Sequence, residues 1–441
     1  MPGGSIIVAF ASRATPASGQ RGVPGINHSR RSERAGLMVN KGQRMAFRAA
    51  SFLVAMAAWN PQMTIAADDL SPFSQPTAET NELVRVAAVQ TKPRLIDWRL
   101  QDPQQVLGAV DKNLVVLESI VDKAGKMQCD VLTFPEDTLG LLNWYGMNEQ
   151  LAKEVLPAAV ARMIDRLGRA AAAHEMHLVL CSDFIESDGA TYNTAFLLDR
   201  DGKGMGRYHK TCPTWSESAS RKRGKSFPVF QTSELGTVGM LICYDLVFPE
   251  TARCLALSGA DIIFFPTMGG AALGKGDIGT QALRVRAAEN HVYLVVAFRG
   301  SGSMIISPRG EILASAEGSD GIVFADIDPD KGRQGGDAMN HQQDMRARLF
   351  RERNPGAFGM LTESNPPILE KVPIEISQQE AGRIASEVLT IGEEEFRQAE
   401  ALVRAGNTAE AIAAFGRLRS KYRGSWIDRV AAERLKTIRI R

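Results

Sequence analysis

Three side chains with reactive chemistry each fall just past a strand-like run. Cys243 ends the apolar stretch Val238-Gly239-Met240-Leu241-Ile242 and is followed by Tyr244-Asp245-Leu246-Val247-Phe248-Pro249-Glu250, where Pro249 can open a helix. A strand that stops at a sharp turn holds a thiol rigidly and points helix-start amides at it, the setting of a nucleophile. Alone, such a Cys is more often a small core hydrophobe. Its company changes the reading. Glu136 arrives after the apolar run Asp130-Val131-Leu132-Thr133-Phe134-Pro135, and Lys210 after Gly206-Arg207-Tyr208-His209. A carboxylate, an ammonium and a thiol thus appear in that chain order, each delivered by a strand end.

The elements that must position them alternate. Strands are expected at Val84–Gln90, Asp130–Phe134, His177–Phe184, Asn193–Leu198 and Gly204–His209, then before Cys243, and at 261–265, 292–298, 303–306, 312–316 and 321–327. Helical spacing runs through Val110, Leu114, Leu117, Ile120 and Val121, again over 154–174, and over 281–290. Alternating strands and helices argue an α/β layered domain. Pro366 and Pro367 mark a linker over 363–385, and 386–441 reads as a helical tail. There Gly406-Asn407-Thr408 separates one amphipathic helix from the next, whose Ala411, Ile412, Ala414, Phe415 and Leu418 form an apolar stripe. The tail is similar to a single tetratricopeptide-like unit. One such unit cannot bury its own apolar face, so it must dock on the rest of the chain, on a second copy or on another protein, away from the three reactive residues.

The residues around Glu136, Lys210 and Cys243 carry a resemblance. Phe134-Pro135-Glu136, Tyr208-His209-Lys210 and Ile242-Cys243-Tyr244-Asp245 followed by Phe248-Pro249-Glu250 resemble the three motifs of the nitrilase, or carbon-nitrogen hydrolase, superfamily over residues 84–362. The resemblance implies a four-layer α-β-β-α sandwich and a Glu136, Lys210, Cys243 triad. It implies that Glu136 is the general base, Cys243 the nucleophile, and Lys210 with the Tyr244 backbone N–H the stabiliser of a tetrahedral oxyanion. Amide carbons are poor electrophiles, which suits a thiolate and requires a base to form it. Glu217 matches a second glutamate that holds the lysine, and Glu289 in Arg286-Ala287-Ala288-Glu289-Asn290 is either support for the site or a packing contact.

Cys243-Tyr244-Asp245 looks like the amidase and N-carbamoyl amide hydrolase branches, whereas nitrile-hydrolysing members follow their cysteine with Trp-Glu. The substrate class implied is a small amide or ureido compound, cleaved through a thioester. An acyl or amide transferase on the same triad and a non-catalytic nitrilase-like scaffold are the alternatives. The segment 345–361 resembles an arm that packs on a second subunit, so a homodimer or higher homo-oligomer is implied, and the helical tail is open to a protein partner.

Other chemistry fits less well. Gly269–Gly276 approaches a phosphate-cradling loop, but Gly276 stands where a magnesium-binding Ser or Thr is required. His174 and His177 lack the spacing that places two imidazoles on one helical face, and five cysteines without paired spacing suggest neither zinc nor a disulfide framework, so no cofactor and no metal are expected. Arg221-Lys222-Arg223-Gly224-Lys225 reads as a solvated charge run or a border of the pocket. A formal net charge of +2 gives no reason to expect nucleic acid.

Residues 1–80 form a leader. After a Gly-, Ser- and Arg-rich stretch, Lys41, Arg44 and Arg48 precede the apolar run 49–58, and Ile65-Ala66-Ala67 offers small residues before Asp68. This pattern over 38–67 resembles a secretory signal peptide, too short for a membrane span, and implies a periplasmic or secreted protein; without cleavage the protein is cytoplasmic. Sequencing the N-terminus of protein from the native cell should read from near Asp68, and an intact leader would contradict export.

Overall fold

The first strand is apolar toward both of its faces, which places it inside a layered structure. The computed structural model describes residues 83–268, 278–300, 302–316, 320–333, 345–423 and 425–440; the leader and Gly269–Gly276 lie outside the described residues. In β1 (Val84–Gln90), Val86 and Ala88 face one apolar cluster while Ala87 and Val89 face another. A strand alternates its side chains, so β1 separates two cores.

β1 lies in a six-stranded sheet with β2 (Val131–Thr133), β3 (His177–Ile185), β4 (Thr191–Leu198), β5 (Gly204–His209) and β12 (Gly321–Ile327), in the order β12-β1-β2-β3-β4-β5. β1, β2 and β3 run parallel and the outer pairs antiparallel. The second sheet repeats the plan. β6 (Val229–Gln231), β7 (Thr237–Met240), β8 (Ile262–Thr267), β9 (Tyr293–Phe298), β10 (Met304–Ile306) and β11 (Ile312–Ser315) lie in the order β11-β10-β9-β8-β7-β6, with β7, β8 and β9 parallel.

Helices cover the outer faces. α1 (Pro103–Lys126) and α3 (Glu149–Ala172) pack on the first sheet, with the short α2 (Leu142–Met147) between them in sequence; α4 (Pro249–Leu257) and α5 (Ile278–Asn290) cover the second. α1 starts where Asp102 accepts a hydrogen bond from the Gln104 N–H and Pro103 takes the first turn, and it buries Val106, Val110, Leu114, Leu117 and Val121 at helical spacing. The inner faces of the two sheets meet in the larger core, through Val179, Ala195 and Leu197 from one side and Met240, Phe264 and Val295 from the other. The expected α-β-β-α sandwich is the observed architecture.

α6 (Met345–Arg351) ties the segment after the sandwich back to it: Arg346 binds Asp261 at 2.8 Å and donates to the Ala260 carbonyl at 3.1 Å. Beyond it, the stretch read as a linker is helical in part. α7 (Gln378–Thr390) starts where Ser377 accepts from the Glu380 N–H, so a polar N-cap opens a helix inside 363–385. α8 (Glu393–Arg404), α9 (Thr408–Lys421) and α10 (Trp426–Ile440) follow. The stripe on α9 is covered within the chain: Ala411, Phe415 and Leu418 pack with Phe396, Ala399, Ile427 and Ala431, and Trp98 joins them from the loop before α1. The Arg99 guanidinium lies 5.0 Å from the Phe396 ring centroid. The tail thus docks on the sandwich domain of its own chain.

Leu114 is fully buried and its neighbour Val115 is 59% exposed. Leu114→Ala should therefore lower unfolding free energy by about 2–5 kcal/mol, as a core truncation does, and Val115→Ala by less than about 0.5 kcal/mol, read from urea titrations.

Candidate active site

Each of the three reactive side chains leaves a strand end and turns inward. After β2, the Phe134 N–H still bonds the Val179 carbonyl at 2.8 Å, so the ladder with β3 extends to the Phe134-Pro135 turn and delivers Glu136, which is 1% exposed. Lys210 follows β5 directly; its N–H donates to the Asn193 carbonyl and its own carbonyl accepts from the Gly224 N–H. The ammonium is 2% exposed and is held between two carboxylates, 3.1 Å from Glu136 Oε1 and 3.1 and 3.0 Å from the Glu217 oxygens.

Cys243 occupies a backbone that few residues adopt. Its φ is +45°, in the left-handed region, between the end of β7 and the turn Cys243–Val247 that leads into α4. A non-glycine residue there costs local energy and persists only where its surroundings enforce it. Asp245 supplies the enforcement. Fully buried, it accepts from the Ile242 N–H at 2.9 Å, the Tyr208 hydroxyl at 2.8 Å, the Cys212 N–H at 2.8 Å and the Thr211 hydroxyl at 3.2 Å. One carboxylate thereby joins the Cys243 elbow to the segment that follows Lys210.

The electrostatics follow from burial. Burial pushes the Cys243 thiol up to about 12, the Glu136 charge adds to this, and Lys210 and a hydrogen bond from Thr267 oppose it. The field of all three charged groups thus reaches the sulfur. Burial alone would lower the Lys210 ammonium, but Glu136 and Glu217 outweigh it and hold the lysine charged well above its ordinary value. Burial likewise works against the Glu217 carboxylate, yet Lys210 and Arg221 hold its pKa below the usual range.

Asn193 completes the cluster. Its amide donates to Glu136 Oε1 at 2.8 Å, while the Met268 N–H donates to Glu136 Oε2 at 3.2 Å, so both oxygens of that carboxylate are oriented. The sequence signal for Asn193 is weak, since it sits mid-strand in β4. Asp183 and Arg221 form a buried pair, with the Arg221 Nε and Nη2 each 2.7 Å from an Asp183 oxygen and the guanidinium carbon 4.4 Å from the Tyr145 ring centroid. Arg221 is thus not part of a solvated charge run; a buried carboxylate and a ring face draw it inward, while Lys222, Arg223 and Lys225 are exposed.

Of the other anticipated residues, Glu217 joins the site directly. Tyr244 is half-buried, its ring edge-on to Phe248 at 5.6 Å. Glu289 accepts from Arg286 at 3.0 Å, and its carbonyl accepts from Arg253 at 2.8 Å; these bonds belong to the packing of α5 against α4. His174 bonds Asp122 and His177 bonds the Leu198 carbonyl, so the two imidazoles serve different elements.

Residues 85–335, more than half of the chain, match the family model for carbon-nitrogen hydrolase. The chain belongs to the carbon-nitrogen hydrolase family. Among relatives of this hydrolase, a deaminated glutathione amidase from Synechocystis is 31% identical over 248 residues, spanning 51% of this chain and 88% of the relative. An N-carbamoylputrescine amidase from Solanum tuberosum is 29% identical over 58% of this chain and 89% of its own. A citrullinase from Francisella tularensis is 30% identical over 56% and 91%. An amidase from Nesterenkonia is similar in structure at 25% identity, with a TM-score of 0.47 over 62% of this chain and 96% of that one. The carbon-nitrogen hydrolase belongs to the amidase branch of the nitrilase superfamily.

The lowered Glu217 pKa fixes a sign for pH dependence. A carboxyl whose folded value lies below its unfolded value stabilises the fold fully above the ordinary carboxylate range, and that contribution is lost as pH falls through the folded value. Glu217→Gln should therefore be less stable than the parent at neutral pH, and the difference should shrink as pH falls from about 4, where the carboxyl of the unfolded chain takes up its proton, towards about 2, where the folded one does. Urea midpoints measured from neutral to acid pH check this, and a gap that is constant over the whole range would contradict it.

Proposed function

We propose that the protein hydrolyses a non-peptide carbon-nitrogen bond of a small linear amide or N-carbamoyl compound, with Cys243 as nucleophile, Glu136 as base and Lys210 as oxyanion partner. One observation carries the reading: a buried lysine is clamped between Glu136 and Glu217, and the charges of all three act on a thiol held at a strained strand end.

A thiol raised to about 12 is protonated at neutral pH, so attack requires a base at the moment of reaction. Glu136 is suited to this, because Asn193, Lys210 and the Met268 N–H hold its two oxygens in one orientation. In the proposed sequence Glu136 takes the thiol proton as sulfur bonds to the carbonyl carbon. Lys210 and the Tyr244 N–H stabilise the resulting oxyanion. Glu136 returns the proton to the departing nitrogen, leaving a thioester on Cys243, and then accepts a proton from the water that cleaves it. The thioester releases an acid, or a carbamic acid where the substrate is a ureido compound. The amidase and carbamoyl hydrolase relatives support this substrate class.

The test is ammonia release by purified protein from a panel of primary amides, N-carbamoyl amino acids and N-carbamoyl amines, without added metal. Turnover of at least one class is expected, and Cys243→Ala should lower it by about 10⁴-fold or more while the unfolding midpoint stays near that of the parent. Activity abolished by a chelator and restored by zinc would overturn the mechanism; a Cys243→Ala protein that cannot fold would return that residue to the core.

A further inference from the structure

The loop that carries Glu217 is held from two sides. On its inner side, Glu217 bonds Lys210 and accepts from the Thr214 N–H at 2.8 Å, Tyr145 donates to the Ser220 carbonyl at 3.2 Å, and Arg221 is locked to Asp183. The Thr214 bond lies within the loop, and the others fasten it to the hydrolase domain. The outer side is closed by the C-terminal segment. The Trp215 indole N–H donates to the Ile376 carbonyl at 3.0 Å, one residue before the Ser377 cap of α7. α7 then packs along the turn Glu217–Ala219 and against α2, which carries Tyr145.

Gly382 marks the closest approach. A Cβ built on it would lie 2.8 Å from the Ala219 Cβ and 3.5 Å from the Ser216 carbonyl oxygen. Glycine inside a helix costs about 1 kcal/mol relative to alanine, so its place in the middle of α7 needs a reason, and the only side chain small enough for this contact is none at all. The far end of α7 is fixed as well. Gly392, in the left-handed region at φ +82°, lies against the Tyr422 ring and leads into α8, whose Phe396 packs with Trp98 and lies under Arg99. The tail helices are therefore an anchor on the hydrolase domain, and α7 is the brace stretched between that anchor and the Glu217 loop.

We propose that α7 is a positioning element for the reaction: through Gly382 against Ala219 and Ile376 against Trp215, it holds the 214–221 loop so that Glu217 keeps Lys210 aimed at the Cys243 centre. This rests on the hydrolase reading above for its kinetic consequence, and on geometry alone for its effect on the thiol. A brace of this kind predicts that small changes on α7, distant in sequence from every reacting atom, alter the chemical step.

The experiment uses full-length protein with Gly382→Ala, Gly382→Leu, the exchange Gly382→Ala with Ala219→Gly, and Arg383→Ala as a control on the exposed side of α7. Two readouts are taken: kcat and KM on whichever substrate the screen finds, and the rate of iodoacetamide alkylation at Cys243 between about pH 6 and 10, mapped by peptide mass spectrometry. Gly382→Leu should lower kcat by about tenfold or more, the scale set by small misplacements in preorganised sites, while KM changes by less than about threefold. Displacing the Glu217 charge should also let the thiol ionise more readily, so its alkylation profile moves to lower pH while the buried Cys181 stays unlabelled. Gly382→Ala should move both readouts less in the same direction, although alanine favours the helix, and the Ala219→Gly exchange should restore them. Arg383→Ala should leave both unchanged.

Parent-like kcat and alkylation in folded Gly382→Ala and Gly382→Leu proteins would overturn the proposal, and so would a loss that the Ala219→Gly exchange cannot repair. If Gly382→Leu fails to fold, Gly382→Ala and its exchange partner decide. A protein with no amide turnover whose Cys243 profile nonetheless shifts and recovers would refute the hydrolase reading and leave the brace standing.

Discussion

A single ammonium buried between two carboxylates sets the terms for the rest of this structure. Removing a lysine from water is costly unless its charge is matched, and matching it here requires two side chains from two separate segments to converge on Lys210. Glu136 arrives from the end of β2 and Glu217 from the loop after β5, so neither the first sheet nor that loop can shift without exposing an unmatched charge. The net balance of the three groups is negative. That balance adds to burial in pushing the neighbouring thiol up to about 12, so the sulfur is protonated at neutral pH.

The repeated plan of the two sheets explains how three distant segments reach one point. In each sheet three central strands are parallel, and parallel strands place their C-terminal ends along one edge, where loops from different parts of the chain meet. β2 and β7 deliver Glu136 and Cys243 from such ends, one from each sheet, and the inter-sheet core between them is closely packed with small and branched side chains. Asp245 then fastens the two halves. Its bonds to Ile242 on one side and to Tyr208, Thr211 and Cys212 on the other stitch the second sheet's elbow to the first sheet's β5 exit.

Much of this was legible in the sequence because the strong signals are local. β1, β5 and β12 have the boundaries their apolar runs suggest, and Glu136, Lys210 and Cys243 announce themselves as polar residues where such runs stop. What escaped depends on contacts between segments far apart in the chain. Asp245 reads as a residue next to the nucleophile, and only the fold shows that it satisfies donors from around Tyr208. Arg221 sits in a run of positive charges, and its inward turn follows from Asp183 and Tyr145. α1 and α3 begin earlier than their apolar spacing suggests because caps and first turns are polar. α7 was hidden for a related reason: Gln378, Gln379, Glu380 and Gly382 resemble a linker, and the glycine that lowers helix propensity has its explanation across the interface in Ala219. Family is written in the motifs at the strand ends, and substrate choice in the loops that line the site, where chains of one fold diverge.

The position of α7 in the chain has a consequence for the order of assembly. Ile376 and Gly382 come after every strand of both sheets, so during synthesis the sandwich and the Lys210 cluster can form before the segment that presses on Trp215 and Ala219 has left the ribosome. A nascent or clipped chain would then carry a folded hydrolase domain whose Glu217 loop is fastened on one side only. Full alignment of the site would mark a finished polypeptide.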